Sequence, residues 1–148
     1  MVMAVARFES LFRKAASLDV DKRDLARLED FLGGKLHDLL AVGAATAKAN
    51  GRDVLLPHDL PITAGLERSI HEFRRLDEDL ELDPILGHLA TRPPLDVTYA
   101  VETEERLPFV LGGLCVALAR TFKVLDPDVV NPQTRHWERA GTIFDTLL

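Results

Sequence analysis

The sequence predicts an all-α protein built from two similar halves of one chain. Apolar residues recur at spacings of three and four rather than two, which is typical of amphipathic helices. The motif Arg-Leu-x-x-x-Leu-Gly-Gly at residues 27–34 recurs at residues 106–113, an offset of 79. A Leu-Asp-Val motif at residues 18–20 recurs at residues 95–97, an offset of 77. Two matches in the same order at nearly one offset indicate an internal duplication.

The duplication divides the chain into two segments of similar length. Its 148 residues, of which 47% are hydrophobic and 28% charged, are typical of one globular domain. We expect a single compact domain over residues 1–148, with a first half at residues 1–76 and a second half at residues 84–148. Residues 77–83 between them contain five acidic side chains, and we expect a solvated junction there.

Each half is predicted to contain a short helix, a long helix and another short helix, joined by loops. In the first half Asp21 can cap a long helix of about 29 residues that ends near Asn50 and Gly51. The last helix of this half is predicted to open at Asp59, with Pro61 in its first turn. The apolar stripes of the three helices are Val5, Phe8, Phe12 and Ala15; Leu25, Leu28, Leu32, Leu36 and Leu39; and Ile62, Leu66, Ile70 and Phe73.

The second half is predicted to repeat this order of helices and loops. Its helices are predicted to open at Asp83, at or near Thr103, and at Asn131. Pro108 falls near the start of the long helix, where it either delays the first full turn or bends the helix. The apolar stripe of the last helix comprises Trp137, Ala140, Phe144 and Leu147.

The second loop of the first half carries the most specific local pattern. Gly51 and Arg52 are followed by Val54 and then by Asp59, seven residues after the arginine. With the helix order, this pattern resembles the histone fold, in which an arginine and an aspartate at this spacing pair across the loop. The duplication is similar to a small family of uncharacterised bacterial histone-fold proteins. The resemblance implies an intramolecular pseudodimer with a structural ion pair between Arg52 and Asp59.

Each predicted long helix contains two adjacent glycines, Gly33 and Gly34 in the first and Gly112 and Gly113 in the second. An interior glycine costs about 1 kcal/mol relative to alanine, so four of them require a packing reason. A three-helix unit of this kind cannot bury its own long helix and needs a second copy across it. We therefore expect the two long helices to cross at the glycines. The alternative is that the glycines are tolerated or kink the helices.

The charge distribution counts against general nucleic-acid binding. Residues 1–76 hold 12 basic and 11 acidic side chains, whereas residues 77–148 hold 6 and 13. Asp53 lies where DNA-binding histones often carry a lysine, and the corresponding loop of the second half contains Asp126 and Asp128. In that loop Pro127 and Thr134 replace the pair of Arg52 and Asp59. The candidate DNA-contacting residues, which interspersed acids also mark as a solvated face, are Arg7, Arg13, Lys14, Lys22 and Arg23.

No pattern of catalytic or metal-binding residues emerges. Lys35 follows two glycines but lacks the next Ser or Thr of a phosphate loop. The acidic run lacks the glycine and closing glutamate of a calcium loop, and the five histidines are scattered singly. Cys115 lies in an apolar segment, where a thiol is usually inert packing. We therefore expect no enzyme activity, no cofactor, no metal and no small-molecule substrate.

The remaining features concern location and partners. A single cysteine fits a reducing cytoplasm, and the first 12 residues carry charges where a signal peptide needs apolar residues. The longest apolar run, at residues 109–119, is short of the roughly 20 residues that cross a bilayer. We expect a cytoplasmic, non-catalytic histone-fold protein that acts through a protein partner or self-association, with no membrane partner and weak or absent DNA binding. The alternative is a histone-like nucleoid protein that binds DNA through the basic residues of the first half.

Overall fold

The computed structural model describes residues 2–90 and 94–148, which form a mostly helical structure. The prediction of an all-α protein is confirmed. Two short strands also occur, β1 and β2, as does one 3-10 turn at Pro57–Asp59. The elements are α1 (Val2–Ala16), α2 (Lys22–Ala49), β1 (Val54–Leu55), α3 (Ala64–Leu80), α4 (Asp83–Leu89), β2 (Thr98–Tyr99), α5 (Val101–Leu125) and α6 (Thr134–Leu147).

Helix α2 begins and ends where the sequence predicts. The side chain of Asp21 accepts a hydrogen bond from the Asp24 backbone N–H, and the Asp24 side chain accepts one from the Asp21 N–H. This reciprocal capping satisfies two backbone donors that a helix start leaves unpaired. The helix ends before Gly51, whose φ of +72° is strained for residues with a side chain. The leucines buried along it are Leu28, Leu32, Leu36, Leu39 and Leu40.

Helix α3 differs from the prediction at both ends. It begins at Ala64 rather than at Asp59, because the Thr63 hydroxyl caps it by accepting from the Leu66 N–H at 3.2 Å. It continues to Leu80, and therefore residues 77–80 of the expected solvated junction are helical. Asp77 is buried and accepts from the backbone N–H of Leu82 at 2.5 Å. Residues 77–83 thus form a structured helix end rather than a solvated linker.

Helix α5 lies at the centre of the core, and α1, α3, α4 and α6 pack against it. It begins at Val101, two residues before the predicted Thr103, so Pro108 lies inside the helix. By length and composition α5 could cross a membrane, but more than half of its most apolar window is buried within the protein. Core helices of water-soluble proteins share that property. The core residues that α5 contributes include Leu107, Val110, Leu111, Leu114, Cys115, Leu118 and Phe122.

Loops from the two halves are joined by backbone hydrogen bonds at two places. Strands β1 and β2 pair in parallel, with Val54 opposite Thr98 and Leu55 opposite Tyr99. Elsewhere the N–H of Asp19 donates to the carbonyl of Val130 at 2.7 Å. Each pairing joins the first loop of one half to the second loop of the other.

The glycine pairs do not form the expected crossing of the two long helices, and that prediction was wrong. No described atom beyond the local helix backbone lies within 4 Å of a Cβ placed on Gly33 or Gly34, and both residues are exposed. A Cβ on Gly112 would instead lie 2.3 Å from the Phe73 ring, and one on Gly113 would lie 2.5 Å from Ile70. Only the second pair is closely packed, and its neighbour is α3.

The predicted ion pair between Arg52 and Asp59 is present. The guanidinium Nη1 and Nη2 donate to the two carboxylate oxygens of Asp59 at 2.6 and 2.7 Å. The Asp59 carboxylate also accepts from the Leu56 N–H at 2.8 Å, and its side chain is fully buried. Bidentate geometry and a backbone donor together fix the loop between α2 and α3.

We expect Gly112→Ala to destabilise the protein by about 1–3 kcal/mol, because its methyl group would collide with the Phe73 ring. Gly33→Ala is the matched control, and it should stabilise by up to about 1 kcal/mol because the same methyl enters open space in a helix. Urea denaturation of both variants measures the difference. Equal effects of the two substitutions would contradict the packing described above.

We expect Asp59→Asn to lower the free energy of unfolding by about 1–3 kcal/mol at neutral pH. The Arg52 guanidinium lowers the pKa of Asp59 from 3.8 to about 2. A carboxyl whose folded pKa is depressed contributes stability above pH 3.8, and this contribution is lost as pH falls through about 2. The deficit of the variant should therefore shrink on acidification in denaturation experiments. The exposed neighbour Asp53→Asn is the control, and a deficit independent of pH would disprove the electrostatic origin.

Candidate functional site

The five candidate DNA-contacting residues lie on α1 and at the start of α2. Arg7 donates to the carbonyl of Glu81 at 3.2 Å, and Arg13 lies 3.6 Å from the carboxylate of Asp19. Lys14, Lys22 and Arg23 are exposed. Arg13 is therefore partly neutralised, and three cations remain directed to solvent.

Acidic side chains flank both places where the loops pair. Beside β1 and β2, Asp53 is exposed and Asp96 lies 3.3 Å from Lys48. At the other pairing, Asp128 is exposed, and Asp126 contacts His136 at 3.1 Å. That histidine, with Arg135 nearby, lowers the pKa of Asp126, so this carboxylate stays charged. Both loop pairings therefore present negative charge.

The buried titratable groups His136, Asp24 and Cys115 are held by hydrogen bonds or, for the thiol, by burial alone. His136 accepts from the Gln133 backbone N–H through Nδ1, so its Nε2 carries a proton and donates to Asp126. Asp24 accepts from the Trp137 indole N–H at 3.0 Å, and burial raises the pKa of its carboxyl. Burial also raises the pKa of the Cys115 thiol to about 12, which keeps it protonated. Among the described residues no three potential ligands cluster as a metal site.

An apolar groove of about 380 Å³, which we name the association face, lies where α3, α5 and α6 meet. Ile143 is 37% exposed and Leu147 73% exposed beside it. Leu147 was predicted to belong to the apolar stripe of α6, but its side chain is exposed, whereas Ala140 and Phe144 of the same stripe are buried. The described side chains that line the face are all uncharged: Thr63, Leu66, Ala117, Thr121, Ile143, Phe144, Leu147 and Leu148.

Sequence reasoning missed the association face, because the pattern of α6 does not distinguish it from the core. Ala140, Ile143, Phe144 and Leu147 lie at the i, i+3, i+4 and i+7 positions of one amphipathic stripe. In the structure only Ala140 and Phe144 of these four residues are buried, whereas Ile143 and Leu147 are exposed. The exposed part of the stripe is therefore visible only in the structure.

Comparisons with known proteins identify the family. A family model described as "Domain of unknown function (DUF1931)" matches residues 8–145. An uncharacterized protein of Aquifex aeolicus (strain VF5) is 30% identical over 141 residues, which cover 86% of this chain and 82% of that protein.

Two crystal structures have similar folds. A protein from Thermus thermophilus superposes with a TM-score of 0.88 at 55% identity, over all of both chains. Protein AQ328 from Aquifex aeolicus superposes with a TM-score of 0.85 over 98% of this chain and 95% of its own. At 23% identity, the second likeness concerns the fold alone. Because the family model spans nearly the whole sequence, the chain belongs to the family described as Domain of unknown function (DUF1931).

Proposed function

We propose that this chain is a non-catalytic histone-fold pseudodimer that acts through protein–protein association. Its partner at the association face is a second copy of the chain. The observation that carries this proposal is the uncharged groove beside the exposed Ile143 and Leu147.

The pseudodimer is supported by the order and pairing of the elements. Helices α1, α2 and α3 correspond to α4, α5 and α6, and α5 begins 79 residues after α2, which equals the offset of the glycine motif. The loops pair crosswise: the first loop of each half is hydrogen-bonded to the second loop of the other half. Two histone-fold subunits would be joined in the same way, and Arg52 with Asp59 is the loop pair that the histone pattern requires.

A non-catalytic role is supported by how the reactive groups are held. The Cys115 thiol is fully buried with a pKa of about 12, so it cannot supply the thiolate that a nucleophile needs. His136 is buried and uses both ring nitrogens in capping α6 and holding Asp126. A general base must reach a substrate proton, and His136 is not available for that task.

Self-association is supported by the position of the groove and of the apolar side chains. Helix α6 contributes both the groove wall and the projecting Leu147, so a two-fold axis would place Leu147 of each copy against the groove of the other. Such an interface uses the same surface twice, as most homodimers do. The absence of charge among the described lining residues favours an apolar partner surface.

We expect sedimentation equilibrium to detect a reversible dimer that Leu147→Glu weakens about a hundredfold or more, since the dimer buries two copies of Leu147 and each leucine contributes about 1.5–3 kcal/mol. Val101→Glu is the matched control, because Val101 is also exposed, at 65%, but lies at the start of α5. Each copy carries a net charge of -6, so added salt should screen repulsion and strengthen the dimer. A monomer at all accessible concentrations, or a dimer indifferent to Leu147→Glu, would overturn the proposal.

DNA binding is the second candidate function, favoured by the exposed Lys14, Lys22 and Arg23. Negative charge at both loop pairings opposes it, and we expect a dissociation constant at or beyond the weak end of the nonspecific range, about 10⁻⁴ M. Anisotropy with labelled duplex DNA across a salt series measures this. Submicromolar binding that weakens steeply with salt and is lost in an Arg13→Ala, Lys14→Ala, Arg23→Ala variant would make DNA binding the better candidate.

A further inference from the structure

A second groove, of about 680 Å³, runs between α2 and α6. Its floor is formed by Phe31 and Gly34 of α2 and by Trp137 and Gly141 of α6. The two helices are joined beneath it: the Phe31 ring meets Phe144 edge to face with centroids 5.0 Å apart, and Trp137 donates to Asp24. These two contacts fix α2 and α6 relative to each other, and the groove lies between the two helices. We name it the acidic groove, because carboxylates line its rim.

The other half of the molecule shows what fills the equivalent space. There α3 seats Ile70 and Phe73 on Gly112 and Gly113. Aligning α3 with α6 at an offset of 71 matches three buried or half-buried positions of each helix and places Gly141 opposite Ile70. No described atom beyond the local helix backbone lies within 4 Å of a Cβ on Gly34 or Gly141. The space that the Ile70 side chain fills over Gly113 is therefore open over Gly34, whereas the aromatic Phe73 has a counterpart in Phe144.

The charges around the acidic groove are unequal. Its two cations are already engaged: Arg27 donates to the Thr134 hydroxyl at 2.9 Å, and the buried Lys35 ammonium contacts Asp145 at 2.6 Å and Asp38 at 3.2 Å. The rim also carries Asp30 and Glu138. Both are exposed and form no ion pair within residues 2–90 and 94–148. The groove therefore combines an apolar floor with unpaired negative charge.

We propose that the acidic groove binds a basic amphipathic helical segment of another protein. A large apolar side chain of that segment would occupy the space over Gly34 and Gly141, as Ile70 does over Gly113. Lysines or arginines one helical turn away would lie near Asp30 and Glu138. Charge complementarity selects this partner class over an acidic or uncharged one. The acidic groove and the association face share no lining residue, so this proposal does not depend on self-association.

The probe is a fluorescein-labelled designed helical peptide of leucine and lysine, with a leucine and glutamate peptide of the same pattern as the comparison. Binding is measured by anisotropy and by the emission of Trp137, the only tryptophan, which lies in the groove. We expect the lysine peptide to bind and shift this emission, and the glutamate peptide to do neither. Binding of both peptides, or of neither, would overturn the proposal.

Filling the groove tests its location. Gly141→Leu should weaken binding of the lysine peptide by about tenfold or more, as blocking a central contact does. Gly33→Leu is the matched control, because Gly33 also faces open space but does not line the groove. Both substitutions leave the core untouched, and thermal melts check that each variant folds. Equal binding by the two variants would overturn the proposed site.

Removing charge tests the partner class and excludes a general attraction to an acidic protein. The double variant Asp30→Asn, Glu138→Gln should weaken binding by about threefold per charge. The variant Asp53→Asn, Asp128→Asn removes the same charge from the loops and should leave the affinity unchanged. If the loop variant weakens binding as much, the peptide recognises net charge rather than the groove, and the proposal fails. Sedimentation of the groove variants separates this result from the dimer of the association face.

Discussion

Burial of α5 is the constraint on which the rest of the structure depends. From Val110 to Ala119 every residue is buried except the half-buried Ala117, so this helix needs apolar neighbours around its circumference. Helices α1 and α3 of the first half and α4 and α6 of the second supply them. Each large side chain removed from water contributes about 1.5–3 kcal/mol, and neither half alone can surround the helix. The crosswise loop pairing then fixes the arrangement that burial of α5 demands.

The two long helices share a sequence motif but have different environments. Helix α2 keeps an exposed face, whereas α5 is enclosed, and the same glycine pair therefore has different consequences. On α5 the missing side chains let α3 approach closely enough for Phe73 and Ile70 to contact the helix backbone. On α2 the facing helix provides Gly141, and no close contact forms. The neighbouring helices differ while the motif is the same, and the result is a packed interface on α5 and an open groove on α2.

The features that could be predicted from sequence are those set by residues close together in the chain. Capping of α2 by Asp21 and the pair of Arg52 and Asp59 involve partners three and seven residues apart. The helix that packs against Gly112 could not be predicted, because a glycine indicates a close approach of two elements but does not indicate which element approaches. The acidic run at residues 77–83 was wrongly predicted to be a solvated junction, and the reason is different. Leu76 and Leu80 continue the helical spacing of Phe73, and burial of this apolar stripe outweighs the charge of the neighbouring residues.

Many of the acidic side chains serve the fold and say little about partners. Asp24, Asp59, Asp77 and Asp126 accept hydrogen bonds at a helix start, in a loop, at a helix end and beside a buried histidine. These four carboxylates are buried or half-buried and already accept hydrogen bonds, so a partner would not meet them as free carboxylates. The carboxylates that matter for recognition are the exposed ones without an ion pair among the described residues.

Four of the exposed carboxylates lie at two locations with opposite expected consequences. Asp53 and Asp128 are exposed beside the loop pairings, where their negative charge would repel a phosphate backbone. Asp30 and Glu138 lie on the rim of a groove with an apolar floor. The proposed basic amphipathic segment would bind there through both its apolar side chains and its positive charges. An interaction between unit charges is strong only within a few ångströms at physiological salt, because the Debye length is about 8 Å. The proposed partner class therefore rests on the placement of Asp30 and Glu138 rather than on the overall acidity of the chain.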